Sequence, residues 1–193
     1  MSAPQDAELL NAAPAERAAI LGGLLERHQK RLLRMVEMRM HPRVRARVGA
    51  SDVVQDACVE VHRCIQDYVD DPQIPFFLWL RRITAQRLLK AHRFHLDAQR
   101  RDVRREAGVD KLRMPATSVV ALVDVLAGNR TSAHSAIERD ERRGRITALL
   151  EELSPTDREV LSMRHFEELS NEEVAAELGL GKHAASKRYI RAL

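Results

Sequence analysis

The sequence predicts an all-α protein: two small helical domains joined by a flexible linker, the second ending in a helix-turn-helix. Three observations carry this expectation. Aromatic residues make up only 4% of the 193, against 45% apolar residues overall, a mix that suits bundles of Leu, Ala, Val and Met better than sheets. Apolar residues recur at three- and four-residue spacing rather than alternating. The last two dozen residues, Leu169 to Leu193, read as a helix, a tight Gly turn and a second helix rich in base.

Residues 1–15 are small and polar and are expected to fray. From Glu16 to Val48 the pattern is helical, through Ile20, Leu21, Leu24, Leu25, Leu32, Leu33, Val36 and Met40. Pro42 kinks or divides this stretch and Gly49 ends it. Ser51 or Asp52 caps the next helix, which runs to about Tyr68 with Val54, Cys58, Val61 and Ile65 inward. Pro72 and Pro75 make residues 70–75 a loop. A long helix then starts at Phe76 or Phe77 and reaches at least His95, with Leu80, Ile83 and Leu88 at its back. Residues 16–106 are thus expected to form the first domain.

Gly, Pro, Ser and Thr mark 107–133 as a linker, within which the apolar run Val119 to Gly128 reads as a short helix or a docked segment. The second domain, 134–193, opens with a helix to Leu153, followed by Ser154 and Pro155 as N-cap and first residue of the next. Ser170 and Glu173 have capping-box spacing ahead of Val174, Ala175 and Leu178. Gly179 supplies a left-handed stop and Leu180 plugs the corner. In the final helix Ala185, Tyr189 and Ala192 share the inner face, and His183, Ser186, Lys187 and Ile190 the outer, flanked by Arg188 and Arg191. A helix held at its back with polar and cationic side chains forward fits the major groove of DNA.

The net charge is +4 and the pI about 9.4. Its distribution says more. Arg and Lys crowd the stretch from Trp79 to Arg105, whereas Asp and Glu dominate from Glu151 to Leu178. Such segregation points to one surface for a polyanion and others for protein or solvent. Cys58 and Cys64 lie close together in a helical stretch, which argues against a disulfide framework. The opening residues lack a signal-peptide pattern and no long apolar run occurs, so a cytoplasmic protein without a membrane segment is expected. Phosphate loops, nucleophile elbows and isolated carboxylate pairs are missing from the pattern, and no catalytic residue, cofactor or metal is expected. Cys58 with His62, and His92 with His95, are too few ligands for a structural zinc site.

Three blocks together resemble bacterial RNA polymerase sigma factors of the compact extracytoplasmic-function (ECF) type. They are SDVVQDACVEVHR (Ser51 to Arg63), FFLWLRRITAQRLLKAHR (Phe76 to Arg93) and ALLEELSPTDREVLSMRHFEELSNEEVAAELGL (Ala148 to Leu180). The resemblance implies that the chain binds core RNA polymerase and directs it to promoters. It implicates Asp52, Gln55, Asp56 and Glu60 in docking on the coiled coil of the β′ clamp. Asp52, Asp56 and Glu60 repeat at four-residue intervals and so form one acidic stripe. It assigns Arg82, Gln86, Lys90 and Arg93, one polar face of the long helix, to the unpaired strand of the −10 element, with Tyr68 in the loop beside a flipped base. Lys182, His183, Ser186, Lys187, Arg188 and Arg191 are the implied readers of the −35 element. Trp79 is expected to pack, one of Phe76 and Phe77 either to pack or to stack on a base, and Arg100, Arg101, Arg104 and Arg105 to touch phosphates. The β flap is a further implied contact, and an anti-sigma factor is compatible with the family. The rival readings are a stand-alone helix-turn-helix activator that binds duplex DNA as a dimer, and an adaptor that sequesters polymerase.

Overall fold

Local chemistry sets the helix boundaries throughout. In the computed structural model residues 4–97, 114–127 and 136–193 are described, and every regular element among them is an α-helix. They fall into two compact units, residues 1–36 with 40–115 and residues 37–39 with 116–193.

The first unit holds α1 (Pro4–Asn11), most of α2 (Pro14–Arg39), α3 (Pro42–Arg45), α4 (Ala50–Asp70) and α5 (Phe76–Asp97). Proline opens α2 and α3, where its missing N–H costs nothing. The expected fraying of residues 1–15 is corrected: α1 buries Leu9 completely. Its Asp6 carboxylate, itself buried, accepts the Phe76 N–H at 3.3 Å and so satisfies a donor that the start of α5 would otherwise leave orphaned. Pro42 divides rather than kinks the preceding helix, and the His41 ring caps α3 by accepting from the Arg43 N–H. Helix α4 starts at Ala50, slightly earlier than the sequence suggests. Gly49 is its N-cap, and Asp52 sits at the third helical position and accepts the Gly49 N–H at 2.9 Å. The buried face of α4 is Val53, Val54, Ala57, Val61 and Tyr68; Cys58 and Ile65 are half-buried at its edge. This face packs on α5, whose Leu78, Leu80, Ile83, Ala85 and Leu88 are buried.

The second unit contains α6 (Val119–Ala127), α7 (Ala136–Glu152), α8 (Pro155–His165), α9 (Asn171–Leu178) and α10 (Lys182–Ala192). The apolar run inside the expected linker is α6, and it packs along α7. Ala121, Leu122 and Val123 join Met38, Leu150, Leu161 and Phe166 in one core cluster. Arg39, without solvent exposure, lies 2.8 Å from Glu159 and 2.7 Å from Glu167. A charge buried this deeply is tolerated only with such partners, since removing one strands the other in an apolar setting.

Candidate nucleic-acid interface

The turn between α9 and α10 forms as its residues demand. Ser170 Oγ accepts from the Glu173 N–H at 3.2 Å, and Glu173 Oε2 accepts from the Ser170 N–H at 2.7 Å, closing a capping box. Gly179 takes φ 64°, left-handed backbone that glycine adopts without a Cβ clash. Leu180 N–H then returns to the Ala175 carbonyl at 2.8 Å, completing the helix stop. Asn171 Nδ2 donates to the Lys182 carbonyl at 2.9 Å and ties the start of α9 to the start of α10.

The back of α10 is fixed by Ala185, which is fully buried, and by Tyr189. The Tyr189 hydroxyl lies 3.2 Å from His165 Nε2, and the Arg164 guanidinium sits over its ring at 5.1 Å. A second clasp involves Asp157 in the first turn of α8. Its carboxylate accepts from Ser154 Oγ at 2.7 Å, from Arg188 at 2.9 Å and from Arg191 at 2.6 and 2.8 Å. Burial pushes the Asp157 carboxyl up, but the hydrogen bonds from Ser154, Arg188 and Arg191 outweigh it and hold the group below its ordinary range.

This geometry redistributes the expected reading residues. Arg188 and Arg191 turn back to Asp157 rather than standing with the outward set, a pairing across 31 and 34 residues. Lys182 pairs with Glu172 at the rim, and the bond from Lys182 holds the Glu172 carboxyl below its usual range. His183, Lys187 and Ile190 remain as an exposed row at i, i+4 and i+7, with Ser186 half-buried beside it.

In the first unit, α5 presents the second cationic face. Arg82, Gln86, Lys90 and Arg93 are all exposed on one side of the helix, backed by buried Leu80, Ile83 and Leu88. Tyr68 requires correction. Its side chain is buried, stacks on Trp79 at 4.6 Å between centroids and donates its hydroxyl to the Ile74 carbonyl at 3.0 Å. Burial, helped by the negative charge of Asp6, pushes its hydroxyl up to about 12. Tyr68 therefore shapes the 71–75 loop from inside and offers no face to a base. Phe76 and Phe77 are buried too; Arg31 covers Phe77 at 3.5 Å, so neither phenylalanine is placed to stack. Trp79 packs as expected. Arg100, Arg101, Arg104 and Arg105 lie outside the described residues.

On α4 the acidic stripe is present, though its members differ. Gln55 and Asp56 are exposed. Asp52 is exposed but serves the α4 cap, and Glu60 is bound to Arg87 of α5 at 2.6 Å. One local feature escaped the sequence reading: His92 Nε2 accepts the His41 backbone N–H at 3.2 Å, joining the α2–α3 turn to α5. Burial first, and then the neighbouring His41, keep the His92 ring below its ordinary range, so it is held neutral as an acceptor must be.

Comparison with known proteins agrees with this layout. Residues 24–96 match the family described as Sigma-70 region 2, and residues 143–193 the family described as Sigma-70, region 4. No curated protein matches the chain. A solved structure described as "Structure of CnrH in complex with the cytosolic domain of CnrY" is similar over 97% of this chain and 89% of its own, with 24% identity and a TM-score of 0.51. Among the described residues no helix is long and apolar enough to cross a membrane. With α4 and all but the last residue of α5 inside the region 2 match and α8 to α10 inside the region 4 match, the two taking in well over half of the sequence, the chain belongs to the sigma-70 family as an ECF-type sigma factor that directs RNA polymerase to promoters.

Proposed function

We propose that α5 holds the unpaired strand of the −10 element and that α10 reads the −35 element as duplex, with α4 docking on the β′ clamp. One observation carries this reading: the exposed row Arg82, Gln86, Lys90, Arg93 on a helix whose opposite face is sealed into a core. Cations fix the backbone without reading sequence, and the amide of Gln86 can address a base edge. On α10, His183 and Lys187 face outward with Ser186 at their side, while Arg188 and Arg191 act through Asp157 to set the angle of the helix. On α4, Gln55 and Asp56 form the outward centre of the docking surface, and Glu60 braces α4 against α5. Contact with the β flap falls to the second unit.

Each DNA surface is small and weak alone. Held together by polymerase they act as one bivalent reader through effective concentration. Trapping the unpaired strand then shifts the closed-to-open equilibrium toward melted DNA. The chain contributes no catalytic group to this scheme and works in the cytoplasm, where its polymerase is. CnrH, which shares the fold, has been seen with the cytosolic domain of another protein, which supports an anti-sigma partner as the regulator.

The test is reconstitution. Purified chain with core RNA polymerase initiates on a cognate promoter, and Asp56→Arg abolishes initiation by loss of core association. Tight duplex binding by the chain alone, indifferent to core enzyme, favours the stand-alone activator instead.

A further inference from the structure

The aromatic residues divide sharply by exposure. Tyr68, Phe76, Phe77 and Phe166 are buried, Trp79 is half-buried against Tyr68, and Tyr189 is half-buried against His165. Phe94 stands apart at 73% exposure, in the last turns of α5. Its ring meets the His95 ring edge-to-face, centroids 4.9 Å apart at 88°. Four residues before it is Lys90 and one before it Arg93, both exposed. At 100° per residue Phe94 falls about 40° beyond Lys90, so the ring borders the cationic row.

We propose that Phe94, set beside Lys90 and Arg93, is a stacking platform for an unpaired base of the strand that α5 holds. This rests on the reading of α5 given above. Two physical points select the occupant. A protein partner would want a contiguous apolar patch, yet among the described residues the aliphatic side chains near Phe94, Leu88, Leu89 and Leu96, are buried or half-buried, and its exposed neighbours are the cations Lys90 and Arg93. A polyanion with exposed bases satisfies both features at once: phosphates meet Lys90 and Arg93, and a base meets the ring. Duplex DNA hides its base faces in the stack, so the site selects single strands. Phe94 also supplies what the 71–75 loop does not, because the aromatic rings near that loop are packed against one another. It lies 18 residues beyond Phe76, about 27 Å further along the helix at ~1.5 Å per residue.

The experiment measures binding of a fluorescein-labelled single-stranded deoxyoligonucleotide of mixed sequence, and of the same strand with abasic sites. The full chain is used at low salt, alone and assembled with core RNA polymerase. Phe94→Leu keeps bulk and apolarity but removes the π face. It is expected to weaken binding of the normal strand roughly tenfold while leaving the abasic strand and the salt dependence unchanged. Phe94→Trp is expected to restore or exceed wild-type affinity. Lys90→Ala and Arg93→Ala are expected to weaken both strands. Wild-type affinity in Phe94→Leu overturns the platform while leaving the α5 reading intact, provided the lysine and arginine variants still lose binding. If Phe94→Leu loses polymerase association but keeps the strand, the ring belongs to a protein surface and the proposal falls. If no α5 variant alters strand binding, or the wild type binds no strand in either form, the reading of α5 fails together with the inference.

Discussion

Replacing Asp157 by Ala removes an acceptor that serves Ser154, Arg188 and Arg191 simultaneously. The side chain is 4% exposed, but it lies just beneath the surface, covered mainly by guanidinium groups of which Arg188 is 32% and Arg191 63% exposed. Water therefore replaces part of what the carboxylate gives. A hydrogen bond to a charged group contributes ~1.5–3 kcal/mol when sheltered, and an exposed ion pair ~0.2–1 kcal/mol. Counting Ser154 and Arg188 near the lower sheltered figure and Arg191 near the exposed one gives a loss of about 3–4 kcal/mol, reduced by whatever the freed arginines recover in water. For a unit of this size that lowers the melting temperature by roughly 10 °C or more. The pH dependence has a definite sign. The folded-state pKa of Asp157 is depressed, so its contribution is full above the ordinary carboxylate pKa and is lost as pH falls through the depressed value. Thermal melts of the full chain between neutral pH and pH 3 should show a gap between wild type and Asp157→Ala that narrows on acidification. A double-mutant cycle separates structure from reading. Arg191→Ala should cost stability in the wild type and little in the Asp157→Ala background. If Asp157→Ala melts with the wild type at neutral pH, or if Arg191→Ala costs the same in both backgrounds, the clasp does not hold α10 and both arginines return to the DNA-contacting set.

Other expectations are simpler. Lys187→Ala should leave melting unchanged, weaken promoter-duplex binding by the holoenzyme and reduce the slope of log affinity against log salt by about one, as loss of one phosphate contact requires. Gly179→Ala places a Cβ on backbone at φ 64° and should destabilise the second unit by about 1 kcal/mol, read by urea denaturation. Tyr68→Phe loses only the hydroxyl bond to Ile74 and should cost about 1 kcal/mol with strand binding intact. Loss of strand binding in Tyr68→Phe at unchanged stability would place the hydroxyl at the DNA instead.

What was legible in the sequence was local. The Ser170–Glu173 box, the Gly179 stop, the Pro155 start and the packed back of α5 each depend on residues within a turn or two of one another, so spacing and residue type determine them. The order of the elements was legible for the same reason. Side-chain direction at a distance was not. Arg188 and Arg191 carry nothing in their own helix that announces a carboxylate more than thirty residues earlier, and a base-rich last helix reads as all outward. Tyr68 beside a proline loop reads as exposed, but the Ile74 carbonyl and the Trp79 ring give it a better place inside. In the amino-terminal segment Pro4 followed by Leu9 was a usable signal of a short helix. Its small polar residues masked it, and the role of Asp6 is set by the start of α5, seventy residues away.

These displacements share a cause that bears on function. Polar groups at helix ends and in loops have to be satisfied before any side chain is available to a partner. Asp52 does so for the start of α4, Asp6 for the start of α5 and Tyr68 for the loop between them. Each looked like a recognition residue or an irrelevant one when only its type and position were known. What remains after those internal demands are met is a smaller set: Gln55 and Asp56 on α4, Gln86, Lys90, Arg93 and Phe94 on α5, and His183, Lys187 and Ile190 on α10. The residues that build the frame and the residues that face outward are therefore largely different ones. Substitutions in the first group should register in melting curves, those in the second mainly in binding to DNA or polymerase, and a residue that registers equally in both marks a place where frame and interface coincide.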